Sequence, residues 1–277
     1  MKGIIYLDSS AINKLADDPA APAIIAAIAA AGHDVHISCL NVLELVATKD
    51  PARRTHLLSV ARRITQSFHP LDLPGRILQL SLKAHLSGEN EAVMSIDPKM
   101  NGAWAALRRP EAIDEAIRLN AIREKEVQET WFSDQHQRYR QALTDRERPQ
   151  VSKPVHYIQP AIKDAQFVRS FFEEIVRAAG GNPVTTDAVE ILQKVGPWRG
   201  YFTALALENY NRAVRAQRSG KAYNPGGIDV QQAAYLSGHD VFITEDRLQR
   251  RFLRNVCRIA DIRVSVVDYL FVTRIMW

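Results

Sequence analysis

The chain has 277 residues, of which 46% are hydrophobic and 24% are charged, and it carries a net charge of +5. This is the composition of an ordinary globular protein, and no apolar run approaches the roughly 20 residues that a membrane span requires. The N-terminus enters a strand pattern directly and does not resemble a signal peptide, so we expect a cytoplasmic protein with no membrane partner. Two cysteines without metal-type spacing and eight scattered histidines argue against a disulfide framework and a zinc site.

Apolar runs and helical patterns alternate over the first 87 residues. Residues 3–7 predict a buried strand that ends at Asp8, and residues 34–39 predict a second strand. Helices are predicted at 11–16, 22–31, from Asn41 to Val46, and at about 51–66 and 75–87.

The same alternation returns in residues 222–277. The predicted elements are a helix from Asp229 to Leu236, a strand from Asp240 to Thr244, an arginine-rich helix from Asp246 to Val256 and a strand from Ile262 to Val267. Short strands that alternate with helices imply a parallel sheet covered by helices on both faces.

Residues 88–221 differ in composition from both ends. The stretch 110–148 is polar, contains no glycine and carries apolar residues at helical spacing; helical patterns return at about 160–179, 184–194 and 199–218. We therefore predict an α/β protein whose parallel sheet is sandwiched by helices. Residues 1–87 and 222–277 would form this core, and 88–221 an inserted α-helical region.

Four acidic residues stand near the beginning of predicted helices: Asp8, Glu44, Asp229 and Asp246. Singly, three of them are natural N-caps, and Asn41 with Glu44 resembles a capping box. Together they are predicted where strands end and helices begin, which is the edge at which α/β sheets bind ligands. Carboxylates gathered there would repel one another and raise each other's pKa values, and a bound cation would remove that penalty. Oxygen ligands of this kind favour Mg²⁺ or Mn²⁺.

Three segments resemble, in order, the motifs of PIN domains, the fold of VapC-type toxin ribonucleases and related nucleases. They are IIYLDSSAINKL (4–15), SCLNVLELVA (38–47) and DVQQAAYLSGHDVFITEDRLQR (229–250). The resemblance covers roughly the first 87 and the last 55 residues. The inserted region has no counterpart in the compact members of that family.

The resemblance implies a Mg²⁺- or Mn²⁺-dependent nuclease, specifically an endoribonuclease, in which the four acids bind metal and Ser9, Asn41 and Thr244 support them. The expected partner is nucleic acid, with RNA preferred. A toxin–antitoxin role would also imply an inhibitor protein as a partner and a homodimer. We expect Asp8 and Asp229 to be the primary ligands. Glu44 would complete the shell or accept a proton from the attacking water, and Asp246 would bind a second metal or a bridging water.

Arginines cover one broad face of the predicted helix after Asp246: Arg247, Arg250, Arg251, Arg254 and Arg258. Guanidinium groups bind phosphate through paired hydrogen bonds, so these residues are candidates for nucleic-acid binding. The alternative is a solvated surface helix in which Asp246 and Arg250 form an ion pair across one turn.

Two other classes of function stay open. The inserted region is amphipathic and almost charge-balanced, which suits a PIN-like module with weak or no catalysis whose helices bind a protein partner. Its aromatic groups are either base-stacking surfaces or core anchors: Trp131–Phe132, Phe171–Phe172 and Trp198–Phe202. A metal-dependent phosphatase is the third class, and it is disfavoured because no second aspartate follows Asp8 two residues on.

Overall fold

A computed structural model describes residues 3–65, 70–89, 101–142, 153–212 and 226–274. The helical patterns predicted at 143–148 and 213–218 lie outside these residues.

Four parallel strands form the sheet of the described residues: β1 (Ile4–Leu7), β2 (Asp34–His36), β3 (Val241–Ile243) and β4 (Ser265–Val267). Their order is β2-β1-β3-β4, so the N-terminal and C-terminal segments meet where β1 pairs with β3. This confirms the predicted α/β class. The strands are shorter than predicted; β2 stops at His36 because Ser38 already caps the next helix.

Along the chain, helices lie between the strands and after the last strand. In the N-terminal segment they are α1 (Ser9–Ala16), α2 (Ala21–Ala30), α3 (Cys39–Val46), α4 (Pro51–Ile64) and α5 (Pro74–Ser87). In the inserted region they are α6 (Asn101–Arg108), a 3-10 turn (Pro110–Ala112), α7 (Glu115–Ala142), α8 (Pro154–Lys163), α9 (Ala165–Ala178), α10 (Ala188–Lys194) and α11 (Gly196–Tyr210). The C-terminal segment contains α12 (Gly227–Gln231), a 3-10 helix (Gln232–Gly238), α13 (Arg247–Ala260) and α14 (Leu270–Arg274).

Side chains alternate between the two faces of the sheet, as the pleat requires. Ile5, Leu7 and Ile243 point into a core that includes apolar residues of α1, α2 and α4. Tyr6 and Phe242 belong to a second core on the opposite face, where their rings stack at 4.6 Å. The sheet is therefore buried on both sides, which is typical of parallel sheets.

The helices of the inserted region share this second core with the sheet. Aromatic residues of α9 and α11 are buried in it: Phe171, Phe172, Trp198, Tyr201 and Phe202. The interpretation of these side chains as core anchors is therefore confirmed, and their interpretation as base-stacking surfaces is wrong. The aromatic side chains of α9 and α11 therefore serve packing within the chain.

In the part of the chain that the structure describes, every helix is too short or too polar to cross a membrane.

Candidate active site at the carboxyl edge of the sheet

Asp8 follows β1 directly and is 3% exposed. It is the N-cap of α1, as predicted: its Oδ1 accepts hydrogen bonds from the amide of Ala11 and the hydroxyl of Ser10, both at 2.8 Å. Burial raises the pKa of Asp8 to about 7, although hydrogen bonds from Ala11 and Ser10, together with the nearby hydroxyl of Thr244, oppose the change. Asp8 is thus a carboxylate kept in an environment that disfavours its charge.

The end of β3 lies beside the end of β1, because the amide of Asp8 donates to the carbonyl of Ile243 at 3.1 Å. Thr244 is fully buried, and its hydroxyl donates to Gln249 and lies 3.2 Å from that of Ser10. The amide of Asp246 donates to Thr244 Oγ1 at 3.1 Å. A network of hydroxyl groups therefore connects the two strand ends.

Asp246 is the exposed N-cap of α13, as predicted. Its Oδ1 accepts hydrogen bonds from the amides of Leu248 and Gln249, at 2.6 and 2.9 Å. Within the described residues, no hydrogen bond reaches its Oδ2. One oxygen of this carboxylate is therefore available to a ligand.

Glu44 lies in the second turn of α3, not in the first turn as predicted. The predicted capping box is also wrong in its register: Ser38 is the N-cap, and Asn41 closes the box with it. Serine takes the cap because its hydroxyl reaches the amide of Asn41 while its own backbone is extended. Glu44 is thereby free of any capping role.

The carboxylate of Glu44 is held from two directions instead. Ser9 donates its hydroxyl to Oε2 of Glu44, and the ammonium of Lys125 on α7 lies 3.6 Å from Oε1. Both Glu44 and Lys125 are about a quarter exposed, at 24% and 27%. The inserted region therefore brings a positive charge to this acid.

Asn41 is fully buried, and among the described residues its hydrogen bonds go to Tyr6 and Ser38 and to none of the four acids. Its Oδ1 accepts the hydroxyl of Tyr6 at 2.7 Å and the amide of Ser38 at 2.7 Å. The ionised forms of Asp8 and Glu44 contribute to raising the pKa of Tyr6, after burial, which is the main cause. Asn41 is thus connected by a hydrogen bond to Tyr6, whose pKa responds to the charges of Asp8 and Glu44.

Asp229 is the third residue of α12, and Gly226, not Asp229, is the N-cap. Its Oδ2 accepts the amide of Gly226 at 3.1 Å, and in the described part of the chain no hydrogen bond reaches Oδ1. The pKa of Asp229 is raised to about 6, mainly by burial and also by the charges of Asp246 and, more weakly, Glu44, while the hydrogen bond from Gly226 opposes the change. Asp229 is therefore within electrostatic reach of two of the other acids.

The four acids thus form one electrostatically connected group, linked through Asp8 with Glu44 and through Asp229 with both Glu44 and Asp246. They are not gathered into a finished metal site. Among the described residues, no three or more His, Cys, Asp or Glu side chains are placed so that they could hold a metal ion.

The arginines of α13 separate into two sets. Arg250 donates to the carbonyl of Thr244 at 3.0 Å, and Arg254 donates to the carbonyl of Val266 at 2.7 Å. Arg247 and Arg251 are exposed and make no hydrogen bond or ion pair with described residues. The predicted pair between Asp246 and Arg250 is wrong, because Arg250 reaches Asp268 instead, at 3.9 Å.

Ser10 and Lys125 were missed by sequence reasoning as site residues. Ser10 had a local signal, since a hydroxyl two residues after a helix-capping aspartate can donate back to it. Lys125 had none, because nothing near it in sequence indicates that α7 packs against α3.

The fold and the site define a parallel α/β protein with acidic residues gathered near the carboxyl edge of its sheet. No family model, curated protein or solved structure matches the chain.

Proposed function

We propose that this protein is a metal-dependent nuclease that hydrolyses phosphodiester bonds in RNA. The observation that carries the proposal is the buried carboxylate of Asp8, hydrogen-bonded to Ser10 at the junction with β3 and electrostatically coupled to Glu44. Asp229 and Asp246 lie in the same connected group. The resemblance of three sequence segments, which contain these four acids, to PIN-domain motifs also supports the proposal, and it is the basis for preferring RNA.

The donor chemistry fits Mg²⁺ or Mn²⁺. Burying anionic carboxylates is costly unless positive charge compensates them, and hard cations prefer carboxylate oxygens. Oδ1 of Asp229 and Oδ2 of Asp246 accept no hydrogen bond from described residues, so they could bind a cation without breaking a cap. Because no ready group of three exists in the described residues, binding requires side chains to turn toward a common centre.

A bound divalent cation would neutralise phosphate charge and acidify a water molecule. The protein's own groups have separate tasks in this proposal. Asp8, which accepts hydrogen bonds from Ala11 and Ser10, and Asp229, which accepts one from Gly226, would hold the cation. Glu44, with its Oε2 held by Ser9, would accept a proton from the attacking water, and Asp246 would hold a second cation or an ordered water.

The competing proposal, a weakly catalytic module whose inserted helices bind a protein, has less support. The apolar faces of α9 and α11 are used in the chain's own core. An inhibitor protein and a homodimer, both implied by the family resemblance, stay predictions.

The test is cleavage of single-stranded RNA, structured RNA and single-stranded DNA with Mg²⁺, Mn²⁺ or EDTA. Wild type is compared with Asp8→Asn and Asp229→Asn, and with Asp50→Asn as a matched control. Asp50 is an exposed N-cap on α4, so its substitution changes the same chemistry away from the site.

Metal-dependent cutting that Asp8→Asn and Asp229→Asn both abolish, and that Asp50→Asn retains, would support the nuclease. Thermal unfolding provides a second measurement: Mg²⁺ or Mn²⁺ should raise the unfolding temperature of wild type but not of the two site variants. Absence of both cutting and metal-induced stabilisation in wild type would refute the proposal.

A further inference from the structure

Helix α7 of the inserted region runs from α3, which carries Glu44, to α12, which carries Asp229. One face of α7 contacts residues of α3 and α12 at three positions. Lys125 lies 3.6 Å from Glu44, and the backbone carbonyl of Gln128 accepts a hydrogen bond from Gln231 at 3.0 Å. Phe132 packs so closely on Gly227 that an added Cβ there would lie 2.7 Å from its ring. Lys125, Gln128 and Phe132 have the spacing of one helix face.

The position of Lys125 is better explained by a ligand than by the ion pair alone. At 3.6 Å the ammonium is beyond hydrogen-bond distance from Glu44, and its three N–H donors make no hydrogen bond to described residues. Ion pairs with this degree of solvent exposure contribute little stability, typically about 0–1 kcal/mol. The group therefore has unused donors and charge beside the acidic cluster.

A nucleic-acid substrate needs such a group. Four carboxylates repel the phosphates that must approach them, and a lysine amine at their margin reduces that repulsion and donates to a phosphate oxygen. The exposed quarter of the Lys125 side chain leaves it reachable from solvent.

We propose that Lys125 is a substrate-binding residue that contacts a backbone phosphate beside the acidic cluster, so that the inserted region completes the substrate site. This inference rests on the proposed nuclease function and assigns the inserted region a role in it. Lys125 remains paired with Glu44 when no substrate is bound and donates to the phosphate when nucleic acid enters.

The experiment compares Lys125→Met, which removes the charge and keeps the length, with Lys125→Arg, which keeps the charge. Arg123→Gln is the matched control, because Arg123 lies on the same helix, is exposed and makes no hydrogen bond or ion pair with described residues. All are made in the Asp8→Asn background, so that a labelled single-stranded oligoribonucleotide is not cut. Fluorescence anisotropy then gives affinity in Mg²⁺ at several salt concentrations.

We expect Lys125→Met to weaken binding about 3- to 10-fold and to lower the slope of log affinity against log salt by about 0.7, the value for one single-strand phosphate contact. Lys125→Arg should keep the parent's affinity and salt slope, and Arg123→Gln should change neither quantity. A merely structural role would lower the unfolding temperature and leave the salt slope unchanged.

Binding by Lys125→Met with the parent's affinity and salt slope would overturn the inference while leaving the nuclease proposal intact. If the wild-type protein, tested alongside, neither bound nor cut any oligonucleotide, both proposals would fail. The two failures are therefore distinguishable.

Discussion

The hydroxyl of Ser10 donates a hydrogen bond to the carboxylate of Asp8 at 2.8 Å. The oxygen of the same hydroxyl accepts the amides of Glu245 at 2.8 Å and Asp246 at 3.2 Å. One serine in the first turn of α1 therefore orients the buried acid after β1 and also satisfies the backbone that leads from β3 into α13. The relative positions of the two acid-bearing junctions depend on this contact.

Replacing Ser10 with alanine should destabilise the protein by about 1–2 kcal/mol, because the half-buried amide of Glu245 loses its acceptor and Asp8 loses a donor. Ser9→Ala is the matched control, since among described residues the hydroxyl of Ser9 forms a hydrogen bond only with the side chain of Glu44. Urea unfolding measures both variants. Equal losses for the two serines would show that Ser10 has no special role in joining the strands.

In the metal-free protein, the contribution of Asp8 to stability should fall as pH rises toward and through neutrality. Burial raises the pKa of Asp8 from 3.8 to about 7, so the folded chain holds this proton more tightly than the unfolded chain does. The resulting stabilisation is complete below pH 3.8 and is lost as pH rises through about 7. The Asn side chain of the Asp8→Asn variant cannot ionise, so this variant should not show this loss of stability.

We therefore expect Asp8→Asn, relative to wild type, to gain roughly 2–3 kcal/mol of stability between pH 5 and pH 8. Urea unfolding in EDTA at both pH values gives this difference. Asp50→Asn at an exposed cap is the control and should show little gain. A wild-type stability that rises from pH 5 to pH 8 relative to Asp8→Asn would contradict the assigned burial effect.

The arginines of α13 that form hydrogen bonds within the chain should serve stability, and those that form none should serve nucleic-acid binding. Arg247→Ala combined with Arg251→Ala removes two exposed charges and should weaken oligonucleotide binding several-fold while changing stability by less than about 0.5 kcal/mol. Arg254→Ala removes the donor to Val266 and should cost about 1–2 kcal/mol of stability.

Anisotropy and urea unfolding of the same samples separate these effects. The prediction would be wrong if Arg254→Ala lost binding but kept its stability, or if the double variant lost stability. Either result would show that the hydrogen bonds of these arginines do not determine their roles.

Much of the local structure could be predicted from the sequence, because hydrophobic periodicity and capping residues act over a few neighbouring positions. The strand before Asp8, the helix after Asp246 and the helical character of the insertion all followed from such patterns. The register of α3 did not, because both Ser38 and Asn41 are good caps and local sequence alone does not choose between them.

The sequence by itself determined the parallel α/β class, the assembly of the sheet from the two ends of the chain, and the position of Asp8, Asp229 and Asp246 at the beginnings of helices. The tertiary structure alone decided how deeply Asp8 is buried, which arginines are used in packing and that Lys125 meets Glu44. The physical reason is range: backbone preferences act between near neighbours, whereas burial and ion pairing depend on elements distant in sequence that the packing of the whole chain brings together.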